Sequence, residues 1–147
     1  MTADWARVLD GLERCGRVAR VVVAATRGST PREAGAAMVV RPDLGFHGTI
    51  GGGALEWRAL DAAAAALAAP GTGVGFLDVS LGPDLGQCCG GRVTLAVEVL
   101  DATALAEVRD LAIREREGPF FTELATAGST PTRRIRRDAP VAVGLSA

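Results

Sequence analysis

The feature that most constrains the fold is a nearly continuous run of apolar and β-branched residues at positions 18–25. Such a run is typical of a β-strand that is buried on both faces. Apolar residues at helical spacing over residues 4–14 and an alanine-rich stretch over residues 54–68 predict helices that can cover it. The sequence therefore predicts an α/β domain in which a mixed β-sheet is flanked by helices.

Apolar periodicity places the remaining elements along the chain. The further strands are predicted at residues 36–41, 46–50, 74–81 and 92–100. Asp101 can cap a helix over residues 102–117, and the segments 120–125 and 132–136 predict a hairpin. A last strand is predicted to begin near residue 141.

The charge of the chain excludes several classes of function. Its 147 residues include 16 basic and 17 acidic side chains, so that the formal net charge is −1. This balance argues against a protein whose main ligand is a nucleic acid, and the arginine-rich segment 133–137 lacks the interleaved aromatic residues that stack on bases. The sequence contains no lysine, which excludes a lysine Schiff base and the lysine of a phosphate-binding P-loop.

The cysteines and the single histidine predict a reduced protein without a structural metal. Three cysteines cannot all pair within one chain, and the adjacency of Cys88 and Cys89 disfavours a disulfide between them. No Cys-x-x-Cys pair accompanies the lone His47, so a zinc site is not predicted. Charged residues near the N-terminus interrupt any signal peptide, no segment is apolar enough to cross a membrane, and we expect a cytoplasmic protein.

The sequence GTIGGGALE at residues 48–56 predicts a strand that turns directly into a helix. Its three consecutive glycines leave backbone N–H groups accessible, and the N-terminus of a helix attracts anions, so the turn suits a phosphate. It is neither the dinucleotide fingerprint nor a P-loop. A purely structural turn, in which Glu56 at the third helical position caps the helix, explains the pattern equally well.

A second glycine-rich stretch, LGQCCGG at residues 85–91, holds two adjacent cysteines. Thiolates bind soft metal centres and form persulfides, so Cys88 or Cys89 could be a sulfur ligand or a sulfur carrier. The alternative is that both thiols pack beneath a flexible turn. We expect Cys15, at the end of the first helix, to be a packing residue.

The positions of two further side chains make them candidates for ligand binding. Arg32 follows the turn GSTP at residues 28–31 and could place its guanidinium on a phosphate or another oxyanion. The alternative for Arg32 is a solvated arginine paired with Glu33. His47 precedes the glycine turn and is either a ligand or, like most lone histidines, a surface or packing residue.

Three strings together resemble the XdhC/CoxI family, which are accessory proteins of xanthine dehydrogenase and related molybdenum hydroxylases. They are GSTPR at residues 28–32 followed by Gly35, GTIGGGALE at residues 48–56, and LGPDLGQCCGGRV at residues 81–93. Their order and spacing extend the resemblance over residues 17–100. We therefore assign residues 1–100 to a cofactor-binding domain, and residues 101–147 to a helix and a weak hairpin that begin a connection to a second domain.

The resemblance implies a molybdenum-cofactor chaperone rather than an enzyme. Members of the family are described as binding molybdopterin as cargo, protecting it while a cysteine desulfurase replaces an oxo ligand with sulfur, and delivering it to the apo-dehydrogenase. The glycine turn could then hold the phosphate end of the cofactor. The candidate cofactor-binding residues are Arg32, Thr49, Gly51, Gly52, Gly53, Gln87, Cys88 and Cys89, and the two cysteines are also the candidate contacts for molybdenum or its sulfur.

The sequence departs from the family in its second half. Family members continue into a Rossmann-like domain, nothing here matches that domain, and we expect a single N-terminal domain. Apolar surface that the second half would cover leads us to expect a homodimer, with residues 105–143 in the contact. The alternatives to cofactor delivery are a sulfurtransferase that uses Cys88 or Cys89 as a persulfide carrier, and a ligand-free interaction module for the dehydrogenase.

Overall fold

The apolar run at residues 18–25, which predicts a strand buried on both faces, forms the central strand of a five-stranded sheet. The computed structural model describes residues 4–82, 90–125 and 132–136. In spatial order, the strands of the sheet are β3 (Phe46–Gly48), β2 (Ala37–Val40), β1 (Arg17–Arg27), β5 (Arg92–Asp101) and β4 (Gly73–Ser80). Each of them corresponds to a predicted strand.

Helices and a separate hairpin complete the described part of the chain. They are α1 (Asp4–Cys15), α2 (Gly53–Ala68), a 3₁₀ turn (Ala102–Ala104), α3 (Leu105–Glu117), and the paired strands β6 (Phe121–Ala125) and β7 (Thr132–Arg136). The carboxylate of Asp101 accepts a hydrogen bond from the Thr103 N–H at 2.9 Å, which confirms its predicted capping role. None of the described helices is both long and apolar enough to cross a membrane. The strand predicted near residue 141 lies outside the described residues.

The α/β class is confirmed, but the described strand pairs of the sheet are antiparallel, whereas the sequence predicts a mixed sheet. The path of α2 is the reason. This helix follows β3 at one edge of the sheet and leads to β4 at the other edge. The strands β3 and β4 therefore run in the same direction, but three strands separate them and they cannot pair.

Helices cover both faces of the sheet, which explains why β1 is apolar on both sides. On one face, α2 packs the fully buried side chains of Leu55, Ala59 and Ala63 onto the strands. The short alanine side chains let this helix lie close to the sheet. On the other face, α1 and α3 share a second core. Its buried members are Trp5, Val8, Leu12, Val18, Val39, Leu100, Val108, Leu111 and Ala112.

One side chain, Arg133, connects the β6–β7 hairpin to the sheet and to α3. Its guanidinium forms an ion pair with Glu98 of β5 and another, at 2.9 Å, with Glu107 of α3. It also lies over the ring of Trp5, 4.6 Å from the centroid. The side chains of Arg133 and Glu98 are only 5% and 9% exposed, so breaking this pair would leave a buried charge without a partner.

Candidate functional site

The three glycine-rich segments of the sequence lie at the same end of the sheet. The strands β1, β3 and β4 all run toward this end, and β5 starts from it. β1 leads into residues 28–32, here called the GSTPR turn, and β3 leads into residues 49–52, the glycine turn. β4 and β5 flank residues 81–91, the cysteine loop. Antiparallel pairing thus brings together segments that are far apart in the sequence.

The GSTPR turn contacts both of the other segments. The Gly91 N–H donates a hydrogen bond to the Ser29 carbonyl at 3.0 Å, and the Leu81 N–H donates to the Gly91 carbonyl at 2.9 Å. On the other side, the ring of Pro31 packs against Gly51, where a Cβ atom would lie 2.5 Å from Pro31 Cγ. The GSTPR turn therefore lies between the base of the cysteine loop and the glycine turn.

Two backbone donors of the glycine turn bond to side chains, one from the turn itself and one from α2. The Gly52 N–H and the Thr49 hydroxyl both donate to Oε2 of Glu56, each at 2.5 Å. The Gly51 N–H donates to Thr49 Oγ1 at 3.2 Å. The φ angles of Gly51, Gly52 and Gly53 are 132°, 75° and 60°, in the region that favours glycine. Glu56 is thus the capping residue that the sequence predicts, although α2 begins at Gly53 and Glu56 is its fourth residue rather than its third.

This capping arrangement bears on anion binding at the turn. The carboxylate of Glu56 takes the place beside the Gly52 N–H that an external phosphate would need. A phosphate could use that N–H only after the Glu56 side chain had turned away. Phosphate binding by Gly51, Gly52 and Gly53 therefore stays a prediction.

Arg32 lies beside the glycine turn and is half-buried. Its Nη1 donates to the Thr49 carbonyl at 3.4 Å, and its own carbonyl accepts from the Thr30 hydroxyl at 3.2 Å. The described partner of its guanidinium is thus a carbonyl and not the carboxylate of Glu33. Because a guanidinium carries five N–H donors, one long hydrogen bond leaves most of them for an anion.

The cysteine loop is described only at its two ends. Gln87, Cys88 and Cys89 lie outside the described residues, and their predicted roles stay predictions. The two ends are close together, since a Cβ atom at Gly82 would lie 3.9 Å from the Cα atom of Gly90. Among the residues that the structure describes, no group of three or more His, Cys, Asp or Glu side chains could hold a metal ion.

Cys15 and His47 belong to a different part of the molecule. Cys15 is exposed, so the prediction that it packs is wrong. It is the last residue of α1, and the chain leaves the second core there through Gly16, whose φ angle is 75°. His47 Nε2 lies 3.2 Å from Arg41 Nη1, and both line a polar groove of about 520 Å³ together with Cys15. His47 is therefore directed away from the glycine turn that it precedes in the sequence.

Residues 12–78, which contain the GSTPR turn and the glycine turn, match the model of the XdhC and CoxI family. This segment belongs to the XdhC and CoxI family. The resemblance that the sequence motifs indicate is thereby confirmed. A search of curated proteins finds no match to the chain.

A crystal structure from Bacillus halodurans, described as that of a xanthine dehydrogenase, has a similar fold. The TM-score is 0.72, the sequence identity is 18%, and the similarity covers 94% of the chain. At this identity the similarity shows the fold alone. The chain spans 43% of the length of that protein.

The XdhC and CoxI motifs do not by themselves show how the segments touch. Pro31, Gly51 and Gly91 stand in three separate strings, and no pattern within one string indicates a contact with another. One feature of the sequence could have indicated the contact between the cysteine loop and the GSTPR turn. Gly91 directly precedes a strand, and a glycine at such a position often marks the close approach of another backbone.

Proposed function

We propose that this chain is a non-catalytic accessory protein that binds molybdenum cofactor and delivers it, in sulfurated form, to a xanthine dehydrogenase-like enzyme. The observation that carries the proposal is the convergence of the GSTPR turn, the glycine turn and the cysteine loop at one end of the sheet. Membership of the family supports the accessory role, and the resemblance supplies the cargo.

The residues at this end of the sheet fit such a ligand in part. Molybdopterin carries a terminal phosphate or nucleotide, and Arg32 has guanidinium donors left for an anion beside Thr49. The N–H group of Gly52 is already bonded to Glu56, so Arg32 is the candidate first contact for the phosphate end. Cys88 or Cys89 would supply a thiolate ligand to the molybdenum or lie in contact with its terminal sulfur. The bound cofactor supplies the metal chemistry, and the chain binds and orients it.

The proposed partners follow from the same role. The acceptor would be an apoenzyme of the xanthine dehydrogenase class, and a cysteine desulfurase would replace an oxo ligand of the bound cofactor with sulfur. The family match supports a partner of the xanthine dehydrogenase class without specifying which enzyme it is, because XdhC and CoxI proteins are accessory to such enzymes. The desulfurase rests on the resemblance alone.

Reconstitution of an apoenzyme tests the delivery step. The chain is purified from a molybdenum-replete host and mixed with an apo molybdenum hydroxylase from a cofactor-deficient host. We expect hydroxylase activity to appear in proportion to the cofactor supplied, and Arg32→Gln to lower it. Arg109→Gln, which changes an exposed arginine of α3, is the matched control and should behave as wild type. Equal activity from the same amount of free cofactor, without the chain, would contradict delivery.

A further inference from the structure

A β-bulge near the end of β1 changes the face of the sheet on which the last residues of that strand lie. Val23 pairs with Leu95, but the next pair is Ala25 with Thr94, so Ala24 is an extra residue in β1. A bulge of this kind re-aims the side chains that follow it and occurs frequently beside functional sites.

The bulge places Arg27 directly opposite Arg92. Val23 and Leu95 both belong to the core under α2, and strand alternation puts Arg92, three positions before Leu95, on the opposite face. Without the extra residue, Arg27 would share the face of Val23. With it, both arginines lie on the face away from α2, and the Cβ atoms of such opposed residues are roughly 4.5–5.5 Å apart.

The described part of the chain neutralises neither guanidinium. Both arginines are exposed, and neither has a hydrogen bond or an ion pair with a described residue. The nearest carboxylate by register on this face is Asp78, which accepts a hydrogen bond from its own cross-strand partner Thr94 at 2.6 Å. Asp78 is itself exposed, and so is Phe76, the next residue of β4 on this face, so the described helices leave this corner uncovered. Like charges directly opposite each other destabilise a sheet, and a bound anion would remove that cost.

The two arginines also flank the point where the GSTPR turn meets the cysteine loop. Arg27 precedes Gly28 and Arg92 follows Gly91, and a Cβ atom at Gly28 would lie only 3.3 Å from the Cα atom of Gly91. This backbone contact holds the two arginines in register at the end of their strands.

We propose that Arg27 and Arg92 form a binding site for a phosphate-bearing small molecule, with a phosphoryl group held between the two guanidinium groups at the corner of the sheet that the described helices leave uncovered. A guanidinium presents its N–H donors as a planar fork that matches phosphate oxygens, and a single dianionic group neutralises both side chains. The site is separate from the glycine turn at the start of α2. It does not depend on the proposed function, because it rests on strand register and charge.

Calorimetric titration with inorganic pyrophosphate at low ionic strength tests the site. We expect the wild-type chain to bind pyrophosphate, and Arg27→Gln and Arg92→Gln each to weaken the affinity about tenfold or more, since each removes one charge-assisted contact. Arg109→Gln removes the same charge from α3 and should leave the affinity unchanged. Absence of binding to the wild-type chain, or an equal loss in all three variants, would overturn the proposal.

Thermal melting separates a binding role from a structural one. Removing one of two opposed like charges relieves repulsion, so without pyrophosphate we expect Arg27→Gln to melt no lower than wild type. Pyrophosphate should raise the melting temperature of the wild type but not that of the variant. A variant that melts lower without ligand would show that the arginines support the sheet, and the proposal would be wrong. A chain that binds pyrophosphate but carries no molybdenum would contradict only the proposed function.

Discussion

Gly91 joins the cysteine loop to the GSTPR turn through its backbone. Its N–H bonds to the Ser29 carbonyl, and a Cβ atom at this position would lie 2.3 Å from that oxygen and 2.4 Å from the carbonyl oxygen of Arg27. Both obstacles are backbone atoms, which cannot rotate away as the end of a side chain can. Any side chain at Gly91 must therefore displace the turn or the loop.

Substituting this glycine should separate the two segments. We expect Gly91→Ala to lower the free energy of unfolding, measured by urea denaturation, by about 1–3 kcal/mol and to reduce the cofactor that the chain retains. Gly90→Ala is the matched control, because no described residue lies within 4 Å of its added Cβ atom. Its stability should stay within about 0.5 kcal/mol of wild type. Wild-type stability of Gly91→Ala would show that the contact does not constrain the site.

Among the elements, β1 and β5 illustrate what local sequence patterns predict and what they leave open. The apolar run at residues 18–25 and the alternation at residues 92–100 predict both strands, since each pattern is complete within a few residues. The relative direction of the strands depends instead on α2, which connects β3 at one edge of the sheet to β4 at the other. No local sequence pattern indicates that connection. The bulge at Ala24 is hidden for a similar reason, because one more alanine in an apolar run carries no distinguishing signal.

In the candidate site, too, local sequence predicts some features, and others arise only in the folded sheet. The spacing between the glycines and Glu56 predicts the cap, because both belong to one strand–turn–helix segment. The contact between Pro31 and Gly51 joins two segments that only the folded sheet brings together. The exposure of Cys15 likewise depends on where α1 leaves the core, which its helical spacing alone does not show.

The β6–β7 hairpin should depend on Arg133. We expect Arg133→Met to lower the free energy of unfolding by about 3–5 kcal/mol, because it leaves the buried Glu98 carboxylate without its partner. Adding Glu98→Gln should recover part of that loss, since the second change removes the orphaned charge. Arg114→Met, in an exposed pair with Asp110, is the control and should change the unfolding midpoint little. Additive losses in the double variant would contradict the coupling of Arg133 and Glu98.

The start of α3 should show a dependence on pH. The hydroxyl and the N–H of Thr103 both donate to the Asp101 carboxylate, and these hydrogen bonds hold its pKa below the usual 3.8. We expect Asp101→Ala to cost about 0.5–2 kcal/mol at neutral pH. Because the folded-state pKa is the lower one, the charged cap stabilises the fold above the unfolded-state pKa, and this contribution disappears as the pH falls through the folded-state pKa. In urea denaturation, the difference in the free energy of unfolding between wild type and Asp101→Ala should therefore shrink below pH 3.8. A difference that stays constant with pH would contradict the capping role of Asp101.

For the whole molecule, the edges of the sheet determine how two copies could meet. β3 is three residues long, whereas β4, the other edge strand of the described sheet, is eight residues long and offers a longer edge for pairing with a second copy. Phe76 on β4 is 51% exposed. The homodimer expected from the sequence stays a prediction, and its expected contact at residues 105–143 extends beyond the described residues.

Light scattering over a concentration series tests this association. We expect a mass above 15.1 kDa at high concentration, and a return toward the monomer in Phe76→Arg, because a charge at the edge strand opposes pairing. Trp57→Arg, at a residue of α2 that is 69% exposed, is the control. A particle that stays at the monomer mass throughout the series would show that the chain does not self-associate.

The molybdenum and pterin content of the chain, purified from a molybdenum-replete host, tests the central claim most directly. We expect stoichiometric molybdenum and pterin in the wild type and less of both in Cys88→Ala or Cys89→Ala. Cys15→Ala should retain the wild-type content, because Cys15 is exposed at the opposite end of the sheet from the cysteine loop. A wild-type chain without molybdenum and pterin would contradict cofactor binding, and wild-type content in both loop variants would contradict the sulfur contact.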